Sequence, residues 1–298
     1  VRLRPFELIQ PGSVAEAVDA LERAGGGARV VAGGTALVPM IRLGLIRPDP
    51  VITLDRVAGL AEIETEQGML RLGAMVTMAD LERATGARSG WPLLTQAVAR
   101  VATPAIRSTA TVGGNLAYAE AASDLAPALL CLEAVIDTIG PAGRRSVPID
   151  RFFTGFYETA LEPGAIVTGV RVPPVPDGAV GGYVKFCPRS AEDKPLIGVA
   201  ALIERDPDGG RCRGARIALA GAAPTAMRAA RAERVLRGET LSDSVLAEAA
   251  DAAAAEADPL SDLMGSAGYR KEMVRVWTRR LLARLRDGTS PAPAPPVP

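Results

Sequence analysis

Histidine is absent from all 298 residues of this chain. That absence removes a histidine general base, a Ser-His-Asp triad, a histidine-ligated zinc and a histidyl-linked flavin from consideration. Cysteine is scarce. Cys131, Cys187 and Cys212 are scattered, form no CxxC pair, and fall short of the four thiolates that an iron–sulfur cluster usually takes. Their odd number argues against a disulfide framework, and Cys131, within an apolar helical run, reads as core. No charge sign predominates, with 34 Lys plus Arg against 34 Asp plus Glu, so no bulk field favours nucleic acid or an anionic membrane. Long hydrophobic runs are missing as well. The stretch from Ala119 to Ile136 is interrupted by Glu120, Asp124 and Glu133, and the mixed residues from Val1 to Gln10 do not resemble a secretory leader. The expectation is a cytoplasmic protein with no transmembrane segment, in which any redox chemistry falls to an organic cofactor.

What is present is ample apolar material, 48% of the residues, enough to bury a large core. Ser13 followed by Glu16 resembles a capping box and opens a periodic helix through Val14, Val18 and Leu21, stopped by Gly25-Gly26-Gly27. Arg29 to Ala32 reads as a strand running into Gly33-Gly34, with a helical stretch from Thr35 to Arg42. Further strands are predicted at Val51 to Leu54 and Met69 to Leu72, and helices at Ala79 to Arg83, Trp91 to Val101 and Leu125 to Ala134. The proline-rich segment Val172 to Gly178 is the clearest internal boundary, since clustered prolines lack amide donors and extend the backbone. Beyond it, Gly182 to Phe186, Ile197 to Glu204 and Ala215 to Ala220 suggest a sheet, and Ala226 to Leu236 and Leu246 to Ala257 suggest helices packed on it. A last helix begins at Tyr269, with Met273, Val276, Trp277, Leu281 and Leu285 on one stripe and Arg270, Lys271, Arg275, Arg279 and Arg284 on a solvated face. From Asp287 the Ser/Pro/Ala tail is expected to be disordered.

Two glycine pairs carry the chemistry. A loop that binds phosphate needs backbone N–H groups free to point at the anion and no Cβ where the chain approaches closely. The segment Ala32-Gly33-Gly34-Thr35-Ala36-Leu37-Val38-Pro39 meets both needs, and the Thr35 hydroxyl can cap the helix or bond a ligand oxygen. It lacks the GxGxxG pattern of a nicotinamide Rossmann site and the GK[ST] of a P-loop. A second loop, Thr109-Ala110-Thr111-Val112-Gly113-Gly114-Asn115-Leu116, repeats the chemistry and leads to Ser123-Asp124 at the start of an apolar helix. Two such cradles suggest a diphosphate held from both sides. A carboxylate at Asp124 would repel that diphosphate, so a polyol hydroxyl is its more sensible partner, and the combination describes FAD better than a nucleoside triphosphate.

The segments Ala32 to Leu37 and Ile106 to Ala119, continued by Ala122-Ser123-Asp124-Leu125, closely resemble the FAD-binding medium subunit of molybdenum hydroxylases, the carbon monoxide dehydrogenase and xanthine dehydrogenase type. The resemblance runs from Phe6-Glu7 to the final Arg-rich helix. It implies an α+β protein: a two-subdomain FAD-binding domain of the vanillyl-alcohol-oxidase (PCMH) type over residues 1–175, a smaller α+β C-terminal domain over 177–286, and a tail from 287 to 298. It also implies non-covalent FAD lined by Val31, Ala32, Gly33, Gly34, Thr35, Ala36, Leu37 and Val38, and by Thr111, Gly113, Gly114 and Asn115. Ser123 and Asp124 match the pair at the ribityl and phosphate region, Ile166 and Val167 match backbone positions near the flavin or adenine, and Lys185, followed by Arg189, is similar to a family lysine near the isoalloxazine ring. A cation there would stabilise anionic reduced flavin; the competing reading of Lys185 is a surface lysine on a strand.

By the same resemblance the subunit is an oxidoreductase component that takes electrons from a small [2Fe–2S] subunit and passes them to an external acceptor. Substrate oxidation would occur on a large molybdopterin subunit. Ala110 stands where glycine is common, and Glu120-Ala121 replaces a frequent Asp-Pro. No Cys-rich insertion for an extra cluster is present. The alternatives are a free-standing FAD-dependent dehydrogenase or oxidase using Glu192 or Asp193 as base, and a scaffold that has kept the fold without cofactor. Tyr118 either packs near the flavin or fills the core, with the core preferred.

Overall fold

The computed structural model describes residues 5–87, 90–206 and 211–288. Of the tail expected to be disordered from Asp287, residues 289–298 lie outside the described residues, while Asp287 caps the last helix with its amide on the Ala283 carbonyl. The chain opens with β1 (Leu8–Ile9), α1 (Val14–Ala24), β2 (Arg29–Val31), α2 (Leu37–Arg42) and β3 (Val51–Thr53). Ser13 Oγ accepts from the Glu16 amide at 3.2 Å while the Glu16 carboxylate reaches back to the Gly12 amide at 2.8 Å, so the capping box forms one residue out of register. Three short strands pair in parallel in the order β1-β3-β2, with Ala17, Val18 and Ala20 of α1 buried against Ile52.

The second unit comprises β4 (Ile63–Glu66), β5 (Met69–Gly73), α3 (Met78–Ala87), α4 (Pro92–Val98), α5 (Pro104–Arg107), α6 (Val112–Tyr118), α7 (Leu125–Cys131), β6 (Val135–Gly140), β7 (Gly143–Pro148), β8 (Phe153–Gly155), β9 (Glu158–Thr159) and β10 (Ile166–Val172). Five of these strands form an antiparallel sheet, β4-β5-β10-β6-β7. Period two decides its faces: Leu70, Leu72, Ile136, Val170 and Val172 point into the main core, and Arg71, Asp137 and Arg171 point away. On the outer face Arg171 grips Asp137 with two 2.8 Å bonds, beneath a cavity of about 370 Å³ that Glu62, Glu64, Arg71 and Arg144 also line.

The third unit is the antiparallel sheet β11 (Val180–Phe186), β12 (Ile197–Arg205), β13 (Cys212–Ala220) and β14 (Met227–Arg228), with α8 (Ala230–Leu236), α9 (Asp243–Glu256) and α10 (Ala267–Arg286). Both faces of this sheet are buried. Tyr183, Ala200, Leu202 and Ala218 join the main core beside α4 and α7, while Val184, Val199, Ala201 and Ile217 pack under α8 to α10. Cys131 lies fully buried in the first of these cores, and burial pushes its thiol up to about 12, so it is an inert core residue as expected.

The last helix corrects one expectation. Arg270, placed on the solvated face by its spacing, is buried; it donates two 2.8 Å bonds to Asp262 and one to the Leu196 carbonyl, pinning α10 to β12. The helix starts at Ser266, whose Oγ accepts from the Tyr269 amide at 3.2 Å. Ser266→Ala is expected to cost about 1 kcal/mol in urea unfolding, the usual loss for an N-cap.

Candidate functional site

The two glycine loops meet. Gly33 sits so close to the turn before α6 that a Cβ on it would lie 1.9 Å from the Thr109 carbonyl oxygen, and a Cβ on Gly114 would lie 3.5 Å from Ala32 Cβ. Two segments far apart in the chain therefore form one feature, between the small parallel sheet and the helices of the antiparallel one.

The loops are not equivalent. In the first, Gly34 takes the left-handed φ of +69° and its carbonyl accepts from Val38 to start α2. The amides of Gly33, Gly34, Thr35 and Ala36 donate to no protein acceptor among the described residues. Thr35 does not cap the helix: the N-cap is Ala36, without a side-chain bond. The second glycine pair lies inside the first turn of α6 instead of in a turn before a helix. Val112 donates to the Val76 carbonyl at 2.9 Å, Gly113 to the Ala74 carbonyl at 2.8 Å, and Gly114 to the Thr111 hydroxyl at 3.1 Å. Gly113 is glycine for close packing, since a Cβ there would lie 2.6 Å from Ala74 Cβ. The expected pair of amide cradles is thus one cradle of free amides, braced by a close-packed helix start. Four unengaged amides at the head of a short helix suit a multiply charged anion such as a pyrophosphate.

Ser123 and Asp124 lie at the next corner, before α7. Ser123 Oγ donates to Asn115 Oδ1 at 2.8 Å, which leaves the Asn115 amide nitrogen as that side chain's donor. Asp124 is buried and its carboxylate is shared: Tyr183 donates its hydroxyl to one oxygen at 2.6 Å, and Lys185 donates to the other at 3.0 Å. Lys185 also donates to the Arg100 carbonyl at 2.8 Å. It is therefore buried and paired, which overturns the reading of Lys185 as a surface lysine. Burial is the largest influence on Asp124 and raises its pKa from 3.8 to about 6, against the opposing pull of Lys185 and the Tyr183 hydroxyl.

Ile166 and Val167 open β10, beside the register shift between Val167 and Gly169. Ile166 belongs to the small core under α1 and Val167 to the main core, so the pair straddles the seam between the two subdomains. Val31, Leu37 and Val38 flank the free amides, with Val38 exposed. Arg189 is exposed and bonded to Met264 Sδ, while Glu192 and Asp193 stay in the outer loop between β11 and β12. Tyr118 is not core: it forms a half-exposed cluster with Tyr157, ring centroids 5.1 Å apart, under Lys194. Sequence reasoning missed Tyr183. Its position two residues before Lys185 on one strand was the available signal, because such residues share a face.

Residues 4–175 match the family described as the FAD binding domain in molybdopterin dehydrogenase, and residues 182–285 match the CO dehydrogenase flavoprotein C-terminal domain. The 6-hydroxypseudooxynicotine dehydrogenase complex subunit alpha of Paenarthrobacter nicotinovorans is 33% identical, over 94% of this chain and 94% of its own length. The carbon monoxide dehydrogenase medium chain of Hydrogenophaga pseudoflava is 34% identical, over 93% and 96%. Among solved structures, carbon monoxide dehydrogenase from Hydrogenophaga pseudoflava superposes with a TM-score of 0.93 at 34% identity, covering 97% of this chain and 100% of that one. Quinoline 2-oxidoreductase from Pseudomonas putida 86 gives 0.90 at 32%, covering 97% and 99%. Matched through both modules and nearly end to end by such relatives, the chain belongs to the FAD-binding medium subunits of the molybdenum hydroxylases: it is the flavoprotein component of an oxidoreductase, with FAD as its cofactor.

Proposed function

We propose that this subunit relays electrons, taking them from a small [2Fe–2S] partner subunit and passing them to an external acceptor, while a large molybdopterin partner oxidises the substrate. The observation that carries this reading is the meeting of the two glycine loops in a chain whose relatives are named as subunits or medium chains of dehydrogenases. FAD, when bound, accepts and donates electrons singly or in pairs. The chain's own residues do the holding. The amides of Gly33, Gly34, Thr35 and Ala36 would take the pyrophosphate, each charge-assisted bond contributing about 1.5–3 kcal/mol. Val31, Ala32, Leu37 and Val38 would wall the cleft on one side, with Thr111, Gly113, Gly114 and Asn115 on the other. Ser123 and Asp124 would border the ribityl chain, the backbone of Ile166 and Val167 the adenine or flavin, and Lys185 the isoalloxazine end. The modules divide at the proline-rich segment, 1–175 from 177–286.

The chain contains no histidine, and Glu192 and Asp193, the carboxylates considered as bases for a free-standing dehydrogenase, lie in the outer loop between β11 and β12. Among the described residues no group of His, Cys, Asp and Glu is placed to hold a metal, and no helix is long and apolar enough to cross a membrane. The native complex, purified through this chain, is expected to contain molybdenum, iron and flavin together. The isolated chain with FAD should not turn over small alcohols appreciably. A native complex lacking molybdenum and iron would end the relay reading.

A further inference from the structure

The corner that carries Ser123 and Asp124 is held from outside the FAD-binding module. Tyr183 and Lys185 both project from β11, two residues apart on one face, and between them they engage both oxygens of the Asp124 carboxylate. Tyr183 can reach because residue 198 on the neighbouring strand is glycine: a Cβ there would lie 2.5 Å from the tyrosine hydroxyl oxygen. The backbone of Tyr183 is fixed too, its amide donating to Gln96 Oε1 at 3.1 Å. From Asp124 the contacts continue inward. Its neighbour Ser123 donates to Asn115 Oδ1, and Asn115 follows Gly114, the glycine that faces Ala32 in the first loop.

We infer that Tyr183 is a positioning residue for the cofactor site, acting through Asp124 and Ser123 on Asn115, so that FAD is retained firmly only when the C-terminal sheet is seated against α7. This rests on the reading of the glycine loops as the FAD site. A buried carboxylate stays ionised only while donors compensate for its lost hydration. The charged and titratable groups facing Asp124 are Tyr183 and Lys185 on β11 and Arg100 beyond α4, with Cys187 next to the tyrosine. Removing the tyrosine hydroxyl removes one donor from the anion, so Asp124 takes up a proton at a higher pH and its grip on Lys185 loosens there. If the tyrosine only filled space, phenylalanine, which keeps the ring, would leave affinity unchanged at every pH.

The experiment is FAD titration of the cofactor-free full chain, followed by flavin fluorescence between pH 5 and 8. Unfolding curves for each variant confirm the folded fraction. Wild type is expected to bind with constant affinity at the alkaline end and more weakly below about pH 6, where Asp124 is protonated. Tyr183→Phe should bind about tenfold more weakly near pH 7, with the inflexion moved to higher pH. Gly198→Ala, which keeps the hydroxyl but forces it off Asp124, should match Tyr183→Phe; if it does not fold, Tyr183→Phe alone decides. Wild-type affinity, or a uniform loss with an unmoved inflexion, would overturn the inference. Gly33→Ala separates the two ideas. If it loses FAD while Tyr183→Phe binds normally, the glycine site stands and the link through Tyr183 fails. If Gly33→Ala also binds FAD normally, the glycine site itself is wrong.

Discussion

Lys185→Met is expected to destabilise the cofactor-free chain by about 3–5 kcal/mol at pH 8 and by much less at pH 5. The lysine is the buried counter-charge of Asp124, so its removal strands a carboxylate that has almost no access to water. Even with Lys185 in place, burial holds the folded Asp124 pKa at about 6, against an ordinary 3.8. Between those two pH values the folded chain binds more protons than the unfolded chain, so this group makes stability fall as pH rises through that window. Without Lys185 the folded pKa climbs further and the window extends upward, so the penalty keeps growing toward pH 8. At pH 5 the carboxyl is mostly neutral in both proteins, and little charge is stranded. Urea unfolding at the two pH values measures the difference, and an equal loss at both would show that the pair matters only for packing. The double variant Asp124→Asn/Lys185→Met should recover most of the stability, since it leaves no buried charge.

Gly33→Ala is expected to weaken FAD binding at least 100-fold while costing only about 1–3 kcal/mol of stability, the typical range for overpacking. The added carbon would lie 1.9 Å from the Thr109 carbonyl oxygen and 2.8 Å from its carbon. Both are backbone atoms that cannot rotate aside. The loop must lift from the turn before α6, and its free amides move with it. Losing two charge-assisted bonds of about 1.5–3 kcal/mol each already exceeds the roughly 2.7 kcal/mol that a 100-fold change represents. Gly26→Ala serves as control, because a Cβ there meets nothing within 4 Å and should leave affinity unchanged. Comparable FAD affinity in both variants would remove Gly33 from the site.

Local signals were the legible ones. The Ser13 cap, the glycine stop after α1, the strand before Gly33 and the three long strands of the C-terminal sheet all follow from residues within a few positions of one another. β6, β7 and β10 were not read. Their outward residues mix Val135, Asp137 and Ile139 with Arg144 and Arg171, because part of that face is covered by α1 and part carries an ion pair, so no clean alternation survives. The close packing of the second glycine pair was not legible for a related reason. Gly113 answers to Ala74 on a segment 39 residues earlier, and nothing near it in the chain announces that contact. Distance in sequence also hid the clamp on Asp124, whose donors lie 59 and 61 residues away.

The two matched modules, residues 4–175 and 182–285, flank the proline-rich segment but share one core. Tyr183, Ala200, Leu202 and Ala218 complete the hydrophobic cluster that α4 and α7 begin. During synthesis, then, the FAD-binding module emerges with one flank uncovered. The roughly 45 residues from 176 to 220 take about 2–9 s to translate, and for that interval α4 and α7 present apolar surface with no sheet to receive it. The nascent chain is most exposed to aggregation just as its first 175 residues look finished, and slower elongation across the proline run would lengthen that exposure.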